Sequence, residues 1–190
     1  MKLTIDCKER IQLGGMTQAI HIWGTKPENP VLLFLHGGPG VPNRHGMAKN
    51  HMDLTDDFTI VAWDQRGTGG SYFGCDPKTL TLEQLIQDCG QLIEYLCQTL
   101  KKKKVFLLGG SWGTELGTFV CQRYPHLIAG YIGYGQVVNG IENENVSYAY
   151  TLEKAREANC AEDIAELERI GPPVDGQYKP VFEGLMTQRK

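Results

Sequence analysis

The stretch VFLLGGSWG, residues 105–113, restricts the fold more than any other part of the sequence. Its first four residues form a continuous apolar run, which is typical of a strand buried on both faces of a parallel sheet. Residues 112–124 then have helical spacing and end before Pro125, which cannot continue a helix. The pattern predicts a buried strand, a sharp turn at Ser111 and a helix.

The turn contains the pattern G-x-S-x-G, from Gly109 to Gly113. The sequence has only three serines, and 23 of its 190 residues are glycine, so chance would produce the pattern about 0.04 times. Between a strand and a helix, this pattern places the Ser hydroxyl at the edge of the sheet, where it can act as a nucleophile. Ser111 is therefore the candidate nucleophile, and the alternative is a glycine-rich turn without chemistry.

A second glycine-rich motif, HGGPG at residues 36–40, follows the apolar run 31–35. We expect this run to be a strand beside that of the first motif, so that the loop after it supplies backbone N–H groups to the site. Glycine allows the backbone itself to approach a substrate oxygen. We predict that the N–H groups of Gly38 and Trp112 form an oxyanion hole. His36 is expected to shape the loop as a hydrogen-bonded structural histidine.

A third motif, WDQRGTGGS at residues 63–71, ends another apolar run. It includes G-x-G, as phosphate-binding loops do. However, it lacks the Lys-Ser/Thr of a P-loop and the full G-x-G-x-x-G spacing. We expect Asp64 and Arg66 instead to brace the loops around the site through an ion pair.

The rest of the chain alternates strands with helices. Residues 8–13 and 17–23 alternate apolar and polar positions around two glycines, which predicts an N-terminal β-hairpin. The pattern also predicts a short helix near 44–55, strands at 58–63 and 128–134, and helices at 81–100, 145–158 and 161–170. Such alternation favours right-handed crossovers and an α/β fold with a parallel sheet. We assign residues 1–140 to this core and residues 141–190 to an added helical segment.

Composition narrows the classes of function. The chain carries 19 Lys and Arg against 22 Asp and Glu, and 41% of its residues are hydrophobic. These values are typical of a folded protein, and the slight acidity argues against a nucleic-acid partner. No stretch approaches the ~18 consecutive apolar residues of a membrane span, and the N-terminus has no apolar signal core. We expect a cytoplasmic protein without a membrane partner.

The six cysteines show no metal-binding pattern. None forms a CxxC pair, and none lies near a histidine at ligand spacing. Reduced, mostly buried thiols are the expected state. The sequence therefore predicts neither a metal site nor a cofactor.

In this order, HGGPG, WDQRGTGGS and GGSWG resemble the α/β-hydrolase superfamily, and more narrowly its proline iminopeptidase group of serine peptidases. The resemblance runs from about Cys7 to Asn139. It implies an α/β-hydrolase fold with a mostly parallel, doubly wound sheet of eight strands in complete members, and a helical cap after the sixth strand. The resemblance further implies a Ser-Asp-His triad and no cofactor. It also implies release of an N-terminal residue, often proline, from small peptides. Ser111 matches the family nucleophile, and Gly38 and Trp112 match its oxyanion donors.

Two positions depart from the pattern of this group. Gly70 stands where members often carry a bulkier or charged residue, and Glu115 stands where many carry a small polar one. Both departures leave the substrate open between a small peptide and an ester.

No triad base is evident in the sequence. The chain order in this fold is Ser, acid, His, and His126 is the only histidine after Ser111. It follows a helix of roughly 14 residues, which places it about 20 Å away, beyond hydrogen-bond reach. His45 and His51 precede the nucleophile and remain only as unusual alternatives, with His21 weaker still.

We therefore expect these residues to be the N-terminal part of a longer enzyme. The last two strands, the acid and the base would lie beyond Lys190, and residues 141–190 would begin the cap. The first hypothesis for function is a serine hydrolase, an aminopeptidase that favours N-terminal proline. The alternatives are an esterase or another acyl hydrolase of the same fold, and a catalytically incomplete fragment or pseudo-enzyme. An oligomer is compatible with each of these hypotheses.

Overall fold

A computed structural model describes residues 3–188 and contains one six-stranded sheet. The strands are β1 (Ile5–Leu13), β2 (Met16–Gly24), β3 (Val31–Leu35), β4 (Thr59–Asp64), β5 (Val105–Gly110) and β6 (Ile128–Tyr134). Their order across the sheet is β1-β2-β4-β3-β5-β6. The β1–β2 hairpin joins β4 in antiparallel pairing, whereas β4, β3, β5 and β6 run parallel. The predicted mixed sheet with an N-terminal hairpin is confirmed.

Helices alternate with the parallel strands and continue after the last of them. They are α1 (Arg44–Asn50), α2 (Leu82–Thr99), α3 (Trp112–Arg123), α4 (Gly140–Glu157), α5 (Ala161–Ile170) and α6 (Val181–Gln188). The larger apolar layer joins the sheet to α2 and α3, and the smaller one joins it to α1 through Met47. Every residue of β3 is buried, as its unbroken apolar run predicts for a central strand.

Helix α2 begins and ends close to the predicted limits. The side chain of Thr81 accepts a hydrogen bond from the backbone N–H of Gln84 at 3.2 Å, which satisfies one of the free donors at the helix start. Its apolar face, including Leu92, Ile93 and Leu96, is fully buried against the sheet. Burial of each such side chain contributes roughly 1.5–3 kcal/mol relative to exposure.

The chain divides into two compact units, Met1–Gln136 and Val137–Lys190. The second unit consists of α4, α5 and α6 around a small apolar core, in which the hydroxyl of Tyr148 donates to the carbonyl of Leu167 at 3.0 Å. Two details differ from the sequence-based expectation. Helix α4 begins at Gly140 instead of 145 because Asn139 caps it, and α6 is an additional helix that the sequence pattern did not indicate.

The expected ion pair between Asp64 and Arg66 is wrong. Asp64 instead pairs with Arg44 of α1 at 2.9 Å, and Arg66 pairs with Asp88 of α2 at 2.8 Å. Asp64 is the last residue of β4 and Arg66 lies two residues later in the loop, and the helices that supply their partners, α1 and α2, pack in different apolar layers of the sheet. A side chain at Gly70 would crowd this pair, because a Cβ there would lie 2.8 Å from the Cβ of Ala19, 3.2 Å from an oxygen of Asp64 and 3.3 Å from a guanidinium nitrogen of Arg44.

The Arg66–Asp88 pair is the centre of a buried polar network. Arg66 binds both carboxylate oxygens of Asp88, at 2.8 and 2.9 Å, and also donates to the carbonyl of Gly14 at 2.8 Å. Gln18 and Gln84 donate to the same carboxylate at 2.6 and 2.9 Å. The network thereby joins the hairpin turn, β2, the loop after β4 and α2. A fully satisfied network of this kind fixes one arrangement of the elements that it joins.

Asp88→Asn should destabilise the protein strongly. The substitution leaves the guanidinium of Arg66 buried without its counter-charge, which typically costs about 3–5 kcal/mol of unfolding free energy. Denaturant titration measures this loss. The matched control is Glu83→Gln, earlier in the same helix. Its pair with Arg123 is exposed on both sides, so its loss should change stability little. Equal effects of the two variants would contradict the role given to the network.

Candidate active site

Ser111 lies at the tight turn between β5 and α3. Its backbone has φ 50° and ψ −122°, a conformation that a non-glycine residue rarely adopts and that costs of order 1–3 kcal/mol. The side chain is exposed, and its hydroxyl makes no capping bond to the helix. Within residues 3–188, the hydroxyl has no hydrogen-bond partner at all. The turn therefore presents a free hydroxyl at the carboxyl edge of the sheet.

Glycines allow the backbone to pack closely enough to hold this turn. A Cβ at Gly113 would overlap the carbonyl oxygen of Leu35, so the start of α3 lies directly against the end of β3. A Cβ at Gly109 would lie 2.6 Å from the carbonyl oxygen of Gly113, closer than real Cβ contacts come. The N–H of Ser111 donates to the carbonyl of Tyr134 at 3.0 Å and ties the turn to β6.

The HGGPG loop passes beside the nucleophile. A Cβ at Gly37 would lie 3.2 Å from the Cβ of Ser111, and Gly38 has φ +121°, in the region that favours glycine. Trp112 is the first residue of α3, where backbone N–H groups have no partner within the helix. In the described part of the chain, neither the N–H of Gly38 nor that of Trp112 is hydrogen bonded. Both predicted donors are thus free, and both belong to segments adjoining Ser111.

His36 is buried and holds the start of this loop in place. Its Nδ1 lies 2.9 Å from the carbonyl oxygen of Gly37, and its Nε2 accepts from the N–H of Gln65 at 3.2 Å. These partners require the neutral ring with the proton on Nδ1. Burial lowers the pKa of His36, against the smaller opposing effects of the Gly37 carbonyl and Asp64. The predicted structural role of His36 is therefore confirmed, and the residue is not a base.

The other histidines lie apart from the nucleophile. His126 is exposed in the short turn after α3, and His45 and His51 are exposed at the two ends of the α1 region. His21 lies in β2 and contacts Asp6 at 2.7 Å. None of them is hydrogen bonded to Ser111 in the part of the chain that the structure describes. Residues 3–188 contain no group of three or more His, Cys, Asp or Glu side chains that could hold a metal ion.

Two residues that matter for the site were not singled out from sequence. Asp88 lies next to Cys89 in the apolar pattern of α2, and both side chains are buried. An acidic residue on the buried face of a helix could have indicated a cationic partner. Ser71, at the end of the third motif, is buried; its hydroxyl donates to the carbonyl of Asp64 at 2.6 Å and accepts from the N–H of Ala19 at 2.8 Å. The serine of that motif therefore closes the loop onto β2.

Comparison with known proteins identifies the family of the chain. A model of the α/β-hydrolase fold matches residues 30–164, which is most of the chain. The chain belongs to this family. The family membership and fold class that the three motifs indicated are thus confirmed. No helix among residues 3–188 is long and apolar enough to cross a membrane.

Several relatives have peptidase names. A probable aminopeptidase of Bacillus subtilis, YbaC, is 36% identical over 174 residues, which are 90% of this chain and 54% of the relative. A proline iminopeptidase of Lactobacillus acidophilus is 33% identical over 113 residues, which are 58% of this chain and 37% of the relative. The chain thus spans about half, or less, of the length of these curated relatives.

Solved structures give a broader set of neighbours. The proline iminopeptidase-related protein of Thermus thermophilus is 26% identical with a TM-score of 0.60, over 80% of this chain and 51% of that chain. The epoxide hydrolase VrEH1 of Vigna radiata is 26% identical with a TM-score of 0.57, over 67% of this chain and 39% of that chain. The shared fold therefore extends across more than one activity.

His36 should make stability depend on pH. Because its pKa is lower in the folded protein than its ordinary value of 6.5, the unfolded chain binds the proton first as pH falls. The stabilisation is complete above pH 6.5 and is lost as pH falls from there through the folded pKa. Denaturant unfolding at about pH 7.5 and about pH 5.5 should show a larger loss in the wild type than in His36→Gln, whose amide does not titrate. Parallel losses in both proteins would contradict this assignment.

Proposed function

We propose that the protein is a serine hydrolase in which Ser111 attacks a substrate carbonyl and forms an acyl-enzyme. The observation that carries this proposal is the free hydroxyl of Ser111 on a strained turn, flanked by two backbone N–H groups without partners. A binding protein has no use for a strained turn that exposes a serine, whereas acyl transfer requires one.

In the proposed reaction, the Oγ of Ser111 adds to the carbonyl carbon while a base takes its proton. Negative charge develops on the carbonyl oxygen, and the N–H groups of Gly38 and Trp112 would stabilise it. The N-terminus of α3 adds a partial positive charge at the same place. Removal of one such donor typically costs ~100- to 1,000-fold in rate. The leaving group then departs with the proton, and water releases the acyl product.

The base and its acid are proposed to come from polypeptide outside these 190 residues. A serine hydroxyl is a weak nucleophile without a neighbouring base, and no described histidine is hydrogen bonded to Ser111. The chain spans only about half the length of its relative in Bacillus subtilis, which leaves room for both groups. Residues 141–190 would then be the first part of a cap that selects the substrate.

For the substrate, we propose a small peptide from which the N-terminal residue is released. The names of the relatives, aminopeptidase and proline iminopeptidase, support this choice. A second candidate is a non-catalytic binding protein of the same fold. The specific observation in its favour is that no histidine within residues 3–188 is hydrogen bonded to Ser111.

A fluorophosphonate probe followed by intact-mass measurement tests the proposal. We expect one adduct on the wild-type protein that includes the polypeptide supplying the base, and none on its Ser111→Ala variant, because only an activated serine reacts with the probe. Ser147→Ala is the matched control: its hydroxyl lies on α4 and accepts from Gln188. This variant should still react. An unlabelled wild type, or an adduct that survives Ser111→Ala, would refute the nucleophile and favour the binding protein.

Substrate assays on labelling-competent protein separate the remaining activities. Prolyl 4-nitroanilide, alanyl 4-nitroanilide and 4-nitrophenyl acetate compare two aminopeptidase substrates with an ester. Faster turnover of the two anilides would support the aminopeptidase, and a preference for the prolyl compound would support the narrower group. Hydrolysis of the ester alone would contradict the peptidase and leave an esterase.

A further inference from the structure

The segment from residue 36 to residue 44, which contains the HGGPG motif, is held at both ends by neighbouring residues. We call this segment loop 36–44. At its start, His36 is bound twice by Gln65, whose N–H donates to the ring at 3.2 Å and whose side chain donates to the backbone carbonyl at 3.0 Å. At its end, the Nε of Arg44 donates to the carboxylate of Asp64 at 2.9 Å. Two consecutive residues at the end of β4 therefore hold both ends of the loop.

The middle of the loop is a compact turn that contacts the nucleophile. The N–H of Val41 donates to the carbonyl of Gly37 at 3.2 Å and closes the turn. A Cβ at Gly38 would lie 2.6 Å from the backbone nitrogen of Gly40, so the backbone folds back on itself at this point. A Cβ at Gly37 would lie 3.2 Å from the Cβ of Ser111. The path of the chain between the two held ends therefore sets where the N–H of Gly38 lies relative to the nucleophile.

Asp64 is a fixed point to which the end of the loop is tied. The carboxylate oxygen that binds Arg44 also accepts from the N–H of Gly70 at 2.8 Å, and the backbone carbonyl of Asp64 accepts from the hydroxyl of Ser71 at 2.6 Å. A Cβ at Gly69 would lie 2.7 Å from the same carboxylate oxygen, so glycine lets the backbone enclose it. The side chains of Asp64 and Arg44 are only 4% and 13% exposed, and a charge-assisted bond is strong where water is excluded.

Attachment of α1 to the sheet does not depend on this ion pair alone. Met47, in the first turn of α1, is buried in the same apolar cluster as Phe34 of β3 and Ile60 of β4. Apolar packing thus already joins the helix to the sheet. The ion pair acts at Arg44, the residue at which the loop becomes the helix.

We propose that Arg44 and Asp64 are positioning residues, whose ion pair holds the end of loop 36–44 so that the N–H of Gly38 meets the oxyanion. Both act through Gly38. The assignment rests on the proposed serine hydrolase function. A donor to the oxyanion interacts with charge that develops only in the transition state, so a displaced Gly38 lowers kcat and leaves the affinity for the substrate nearly unchanged.

An assigned ¹H–¹⁵N spectrum tests the position of the loop without any catalysis. In the protein that includes the polypeptide supplying the base, Arg44→Gln should move the amide signals of Gly38 and Val41. The matched control is Arg10→Gln. Arg10 lies on β1 and donates to the carbonyl of Gly70 at 2.9 Å, so its replacement removes an arginine from the same loop after β4 but leaves the ion pair intact. An unmoved Gly38 signal in Arg44→Gln, or an equal movement in Arg10→Gln, would overturn the proposal.

Kinetics on the same proteins test the assignment to the transition state. For the substrate that the wild type hydrolyses, kcat should fall about 10- to 100-fold in Arg44→Gln, the scale of a misplaced donor, while KM changes little. Arg44→Lys keeps the charge, and because the contact involves a single N–H, this variant should recover most of the rate. Arg10→Gln should match the wild type. A loss that comes from KM alone, or an Arg44→Lys variant as slow as Arg44→Gln, would contradict a positioning role.

A double variant covers the case in which Arg44→Gln does not fold. The single substitution leaves the carboxylate of Asp64 buried without its counter-charge, which destabilises a protein strongly. Arg44→Gln combined with Asp64→Asn removes both charges, and the amide oxygen at position 64 can still accept from the N–H of Gly70. The double variant should show the same moved signals and the same fall in kcat. A wild-type kcat in the folded double variant would overturn the proposal.

The failure of this assignment differs from the failure of the proposed function. If the wild-type protein hydrolyses none of the substrates and the fluorophosphonate does not label Ser111, the serine hydrolase proposal fails, and the positioning role fails with it. If the wild type is labelled and active but neither the Gly38 signal nor kcat changes in the variants, only the positioning role fails.

Discussion

The contact between the start of α3 and the end of β3 is the constraint on which the site depends. Because any side chain at Gly113 would overlap the Leu35 carbonyl, the helix can start this close to the sheet only with glycine there. The chain then has no room for a relaxed turn, and Ser111 takes its unusual φ of 50°. The surrounding contacts offset a strain of order 1–3 kcal/mol. The same closeness brings the HGGPG loop against the nucleophile.

The loops around this contact are held by buried polar groups and not by apolar packing alone. The side chain of Gln65 donates to the carbonyl of His36 at 3.0 Å, while its N–H donates to the ring of the same residue. The next residue, Arg66, is bound to Asp88 in α2. Helix α2 is thus connected to the loop that would bind the oxyanion, through Asp88 to Arg66 and from the adjacent Gln65 to His36. His36 takes part in this connection as a neutral ring, because its Nε2 accepts from the N–H of Gln65. Both ring nitrogens already have partners, so the residue has a structural role.

Much of the fold could be predicted because it follows from local pattern. The unbroken apolar run of β3, the helical spacing after Thr81 and the G-x-S-x-G turn each indicate one conformation, and each was found. The ion pairs could not be predicted in the same way. Asp64 and Arg66 are close in sequence, but Asp64 ends β4 whereas Arg66 lies in the loop beyond it, and their partners come from different helices, α1 and α2. Asn139 was missed as a cap, so α4 starts earlier than expected.

The central claim is that Ser111 and the two backbone donors form one site. A crystal structure of the protein after reaction with a fluorophosphonate tests it most directly, because the phosphonyl oxygen occupies the place of the oxyanion. We expect a bond from Oγ of Ser111 to phosphorus, with the phosphonyl oxygen about 2.7–3.1 Å from the nitrogens of both Gly38 and Trp112. A phosphonyl oxygen that contacts neither nitrogen, or a bond to another residue, would contradict it.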